Sequence, residues 1–122
     1  NSNPFLSPFY IVLLLWYPCF ENLFSIIRRK NNLNSSFKPD NKHLHHLIYI
    51  FMKNKFHNKN IWANILSASI INLYNFLLII FSLNFIYKTK IIILLIIISV
   101  ILYVFLYYFL KKRIKNFILR EV

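Results

Sequence analysis

Apolar residues dominate three long stretches of the chain, and polar residues crowd between and after them. Residues 5–27, 61–87 and 91–110 are each long enough to cross a hydrocarbon core, which takes about 20 residues. Lipid offers no partner to a free backbone amide or carbonyl, so each stretch is expected to be helical. The segment 28–60 follows another rule. Its Leu44, Leu47, Ile48 and Phe51 recur at i, i+3, i+4 and i+7, which predicts a short amphipathic helix from about residue 41 to residue 53. Pro39 disfavours helix at Lys38, and Asp40 is a good N-cap. The expected fold class is all-α: a polytopic integral membrane protein of one domain, with three transmembrane helices, one basic loop carrying a short helix, and a tail over 111–122.

Polar residues inside the runs refine this picture. Pro8 lies near the start of the first run, where proline is tolerated; Pro18 lies inside it, removes a backbone donor and predicts a kink. Glu21 follows, and an acid at that depth costs about 2–3 kcal/mol unless it is paired or wetted. It reads either as a carboxylate lining a polar cavity or as a structural group near the headgroups, with Arg28 able to reach back toward it. In the second run Asn64, Ala68, Asn72, Asn75 and Ser82 fall within about 80° of one another on a helical wheel. Such a stripe favours contact with other helices, the lining of a substrate path being the alternative. The third run, apart from Ser99 and Tyr103, is expected to face lipid. Tyr107, Tyr108 and Lys111, Lys112 and Arg113 read as its interfacial anchor, with the tail beyond them on anionic headgroups or in solvent.

Composition and charge add the orientation. With 58% hydrophobic residues and a mean hydropathy of +0.53, an ordinary soluble domain is excluded. Glycine is absent while Ile, Asn, Lys, Phe and Tyr abound, so single choices of Lys over Arg carry little meaning. Cys19, the only cysteine, supports neither a disulfide nor a metal site and is expected to be a buried thiol. No basic segment precedes the first apolar run, so it makes a poor signal peptide, and the chain is expected to be a piece of a longer protein. The net charge is +12. Thirteen of the fifteen Lys and Arg lie in 28–60 or in the tail, and the other two, Lys88 and Lys90, lie between the second and third runs. The positive-inside rule then places the loop and the C-terminus in the cytoplasm and the N-terminus outside. Nucleic acid is not expected as a partner, because the cations sit where membrane topology already wants them.

The loop holds the candidate chemistry. Lys42, His43, His45 and His46 occupy the first turn of the expected helix, where open N–H groups and the helix dipole favour anions, phosphate above all. On an ideal helix His43 and His46 share one flank, about 60° apart, and His45 lies on the other. The three converge only if His43 sits at the helix entrance. A zinc site needs further ligands at suitable spacing, and none is offered here. General-base chemistry lacks a nucleophile partner. A solvated basic loop remains the plain alternative.

The pattern Tyr17-Pro18, Glu21, Ser25, Arg28-Arg29, then Ser36-Phe37-x-Pro39-Asp40-x-x-His43-x-His45-His46-Leu47, resembles the C-terminal part of the polyprenyl-phosphate N-acetylhexosamine-1-phosphate transferases. Within glycosyltransferase family 4 it is most similar to the bacterial undecaprenyl-phosphate GlcNAc-1-phosphate transferase branch. The likeness covers about residues 16–48; beyond them the run layout alone agrees. It implies a multi-pass enzyme of the bacterial inner membrane. That enzyme moves a sugar 1-phosphate from UDP-GlcNAc or another UDP-N-acetylhexosamine onto undecaprenyl or another polyprenyl phosphate, and initiates cell-envelope glycans such as lipopolysaccharide. It implies Mg²⁺ held by aspartates outside this chain, missing N-terminal helices, and a homodimer. It gives His43, His45 and His46 a substrate-binding role, with Arg28, Arg29 and Lys42 as electrostatic helpers, and makes Pro39, Asp40 and Glu21 structural motif residues. No metal ligand and no catalytic residue is expected in this segment, which alone would be inactive. The glycine usual after the His-His-Leu run is absent; the corresponding stretch is Lys53-Asn54-Lys55. A small non-catalytic membrane protein, docking a partner or anionic lipid through its basic loop and tail, is the reading from another class, and a metal carrier using the histidine loop is a third.

Overall fold

The computed structural model describes residues 6–30, 43–55 and 60–118, with 116–118 through their backbone alone. Among the described residues five helices follow in order: α1 (Pro8–Leu14), α2 (Trp16–Lys30), α3 (Leu44–Lys55), α4 (Asn60–Leu83) and α5 (Thr89–Ile118). No strand occurs among the described residues. Helices α4 and α5 are long and apolar enough to cross a membrane; α1 and α2, bent by 70° at their junction, make a third crossing if the pair is one broken span.

The first run is therefore two helices, and its break falls at Leu15 rather than at Pro18. The proline acts one turn upstream: it has no N–H to give the Leu14 carbonyl, and its ring crowds that same group. The neighbouring bonds survive, with Leu15 N–H donating to Ile11 O at 3.2 Å and Cys19 N–H to Leu15 O at 3.2 Å. Pro8 sits in the first turn of α1, where its missing N–H costs nothing. Helix α2 runs past residue 27 to Lys30, with Arg28, Arg29 and Lys30 in its last turn, where the dipole favours cations.

Two buried clusters mark the two ends of the molecule. Tyr10, Leu13 and Ile92 pack where α1 meets the α4–α5 connection. Ser7 N–H donates to Ile86 O at 3.2 Å there, and Thr89 Oγ1 to Ser7 Oγ at 3.1 Å. At the opposite end Trp16, Leu44, Leu47, Ile48, Tyr103, Tyr107, Leu110 and Ile114 form the larger core. Helix α3 packs there against both α4 and α5 and buries Leu44, Leu47 and Ile48, the face its periodicity marks. Each such side chain removed from water contributes about 1.5–3 kcal/mol.

Four further expectations are corrected. The tail is not separate from the third run: α5 continues to Ile118, because Leu110 and Ile114 extend the same packed stripe and neither glycine nor proline interrupts it. Nor is α5 uniformly lipid-facing. Ile92, Ser99, Tyr103, Tyr107, Leu110 and Ile114 form one buried stripe, while Ile101 and Phe105 stand 60% and 67% exposed on the other side. Tyr107 belongs to the core at 1% exposure, leaving Tyr108 as the exposed tyrosine of the expected anchor. Cys19 is exposed, because it lies two residues, about 200°, from the inward Glu21.

Candidate functional site

The packed face of α2 carries Glu21 and, one turn on, Ser25, both buried. Glu21 Oε1 accepts the backbone N–H of Leu44 at 3.0 Å and lies 3.1 Å from His43 Nδ1. Ser25 Oγ is 3.4 Å from the same nitrogen. His43 stands outside the helix, and its carbonyl accepts the Leu47 N–H at 3.1 Å, so it occupies the N-cap position of α3. The helix thus begins at Leu44, three residues later than its periodicity predicts. A carboxylate from another helix, 23 residues earlier in the chain, meets an open amide of the first turn of α3. A buried carboxylate needs donors and a helix start has donors to give, so each satisfies the other. Asp40, Pro39 and Lys42 lie outside the described residues.

Glu21 Oε1 thus has partners on α3 and at its entrance, Leu44 N–H and the His43 ring. Arg28 Nη1 donates to Tyr107 OH at 2.8 Å, and its guanidinium lies over the Phe24 and Tyr107 rings at 5.9 and 5.4 Å. Arg29 Nε donates to Ser25 O at 3.4 Å. The hydroxyls of Tyr17 and Tyr103 are buried beside Glu21 Oε2 with no hydrogen bond of good geometry among the three.

The histidines divide between two walls. His43 faces α2 and stacks on His45, with rings 5.5 Å apart and 9° from parallel. His46 stacks on Tyr49 at 6.0 Å and 28°. His45 and His46, with Asn60, Asn64 and Ser67, line an open groove of about 620 Å³ between α3 and α4. His43 does sit at the helix entrance, yet the three imidazoles do not meet at one point, because Glu21 holds the first of them. Partial desolvation, and then the charges of His43 and His46 when protonated, push the His45 pKa below its ordinary 6.5, against the pull of Glu21. As pH falls, the unfolded chain therefore takes up this proton before the folded one, so His45 withdraws stability on acidification through that window and restores it as pH rises. An NMR titration of His45 is expected to give a midpoint below 6.5; a midpoint at or above that value would contradict the geometry.

The polar stripe of α4 is split. Asn75 Oδ1 accepts Trp16 Nε1–H at 3.0 Å, and Ser82 is buried with its hydroxyl on Ile79 O at 2.7 Å, so this half packs. Asn64, Ala68 and Asn72 are exposed and share a second depression, of about 240 Å³, with His45. Ser67 was not singled out by periodicity, although it lies one turn from Asn64, and Ser25 entered through the resemblance alone. A separate cavity of about 310 Å³, among Trp16, Ile71, Tyr74, Leu102 and Leu106, is lined almost wholly by apolar atoms.

No family model, no curated protein and no solved structure matches this chain. The residues present do not fit the magnesium ion that the resemblance implies. Mg²⁺ wants several oxygen ligands in octahedral array. The chain holds only Glu21, Asp40 and Glu121 as acids, and the described residues contain no group of three His, Cys, Asp or Glu able to hold a metal.

Proposed function

We propose that the chain is the C-terminal part of a membrane phosphoglycosyl transferase of the polyprenyl-phosphate N-acetylhexosamine-1-phosphate transferase family. In this reading it crosses the bacterial inner membrane three times, with the histidine loop and the C-terminus cytoplasmic. The observation that supports it most is the bond from Leu44 N–H to Glu21, with His43 on the same oxygen. Through it, motif residues far apart in the sequence come together: the imidazoles gather at the end of α2 that carries Arg28 and Arg29, at one end of the apolar bundle.

Both substrates of such an enzyme bring phosphate to a membrane surface. An oxygen of the lipid phosphate attacks the sugar-bearing phosphorus of the UDP-sugar. The bond from that phosphorus to the bridging oxygen breaks, UMP departs, and the sugar is left on a lipid pyrophosphate. Positioning and charge neutralisation supply most of the catalysis in such transfers. Here His45 and His46 offer imidazole contacts to the nucleotide-sugar, with His43 holding their helix in place. Arg28, Arg29 and Lys42 add positive charge. The magnesium-binding aspartates belong to helices upstream, and the segment by itself is inactive. A second reading, a non-catalytic protein docked on anionic lipid, draws on the exposed Lys111, Lys112 and Lys115 of α5.

The test uses the full-length protein in membranes, given a UDP-N-acetylhexosamine labelled in the sugar and a polyprenyl phosphate. A lipid-linked sugar pyrophosphate and an equal amount of UMP are expected. If neither product forms, the transferase reading is rejected and the docking reading stands.

A further inference from the structure

We propose that the groove between α3 and α4 is a carbohydrate subsite, with Asn64 as a specificity-determining residue that recognises the amino-sugar ring. The proposal rests on the transferase reading and deepens it, since it names the wall of the site that meets the sugar.

The lining chooses the ligand class. Helix α3 contributes His45, His46 and Tyr49, and α4 contributes Asn60, Asn64 and Ser67 together with the apolar Ile61 and Ile65. Imidazoles, carboxamides and hydroxyls are each both donor and acceptor, which is what a ring of hydroxyls and an acetamido group requires. The groove, about 620 Å³, is of the size in which small ligands are bound, roughly 300–1,000 Å³. An aliphatic tail would choose the separate apolar cavity among Trp16, Tyr74 and Leu102 instead. A sugar 1-phosphate carries its phosphate one bond from the ring. A site that meets the sugar at Asn64 therefore brings the phosphate to the imidazoles of the same groove.

Asn64 stands out within this lining. It lines both the groove and the adjoining depression that reaches Asn72. Its backbone carbonyl accepts the Ser67 hydroxyl at 2.9 Å, which leaves its carboxamide as the group it offers to the groove. Its carboxamide makes no side-chain hydrogen bond among the described residues. The other half of the α4 stripe is spent on packing, Asn75 on Trp16 and Ser82 on its own helix. The amides left exposed are those beside His45. An amide placed against lipid would gain nothing; one placed in a groove with two imidazoles is poised to bind a polar ligand.

The experiment compares the full-length enzyme with Asn64→Leu, which keeps the size and removes the hydrogen bonds, and with Asn64→Gln, which restores the amide. Asn64→Leu is expected to raise KM for the UDP-N-acetylhexosamine about tenfold, the worth of one or two hydrogen bonds. It is also expected to shrink the preference over a UDP-hexose that lacks the acetamido group, and to leave KM for polyprenyl phosphate unchanged. Asn64→Gln is expected to recover part of both losses. An unchanged sugar KM with an unchanged preference overturns the subsite while the transferase reading stands. An equal rise in both KM values overturns it too, since that is the mark of a general structural defect. Absence of transfer by the unmodified enzyme instead overturns the reading beneath it.

Discussion

Glu21→Ala, made in the full-length protein, is expected to raise the hydrogen-exchange rate of the Leu44 amide about 100-fold. The carboxylate accepts that N–H at 3.0 Å and holds His43 at 3.1 Å. A hydrogen bond to a charged group contributes about 1.5–3 kcal/mol, and this one is also the cap of α3. Each 1.4 kcal/mol is a factor of ten in the opening equilibrium that exchange reads, so the upper part of that range is about 100-fold. Glu21→Gln keeps an oxygen for Leu44 but removes the charge that draws His43, so about a tenfold rise is expected. Exchange measured by mass spectrometry over peptides covering residues 43–48 reads both variants. Peptides from the opposite cluster, around Leu13 and Ile92, serve as the control and should not change. Unaltered protection of the 43–48 peptides would sink the latch between α2 and α3.

On the proposed transferase reading, removing all three imidazoles, His43→Ala with His45→Ala and His46→Ala, is expected to lower kcat/KM for the UDP-sugar at least 100-fold in the full-length protein, a loss of about 2.7 kcal/mol of transition-state stabilisation. The single variants should separate by mechanism. His43 shares an oxygen with the start of α3, so His43→Ala acts by positioning. It should loosen the 43–48 peptides and combine less than additively with Glu21→Ala, as residues of one network do. His45→Ala and His46→Ala face the groove and should raise the substrate KM with α3 still protected. Triple-variant kinetics equal to those of the parent would reject the proposed role of the loop.

How much of this was legible from the residues alone differs from element to element. Leu44, Leu47, Ile48 and Phe51 announce the apolar face of α3, and the three buried positions among them follow it. Pro18 announces a break in the first run, but the rule that proline disturbs the carbonyl four residues before it is needed to place the break at Leu15. The α5 stripe was hidden because nearly every residue there is apolar. Hydropathy cannot tell the buried Ile92 from the exposed Ile101 when both are isoleucine. The role of Glu21 was half visible: its depth demanded a partner, and Arg28 was the near cation in sequence. A donor 23 residues away on another helix leaves no mark in local spacing.

By itself, then, the sequence determined that the chain is helical, with runs long and apolar enough to cross a membrane and with its cations gathered between and after them. Backbone satisfaction in lipid and the clustering of Lys and Arg are properties of composition and order along the chain. Only the tertiary structure decided where α3 begins, which carboxylate caps it, and that His43 turns to α2 while His45 and His46 turn to α4. Those outcomes depend on pairings between helices, which arise when packing brings distant donors and acceptors within bonding range, and no periodicity along one helix encodes them.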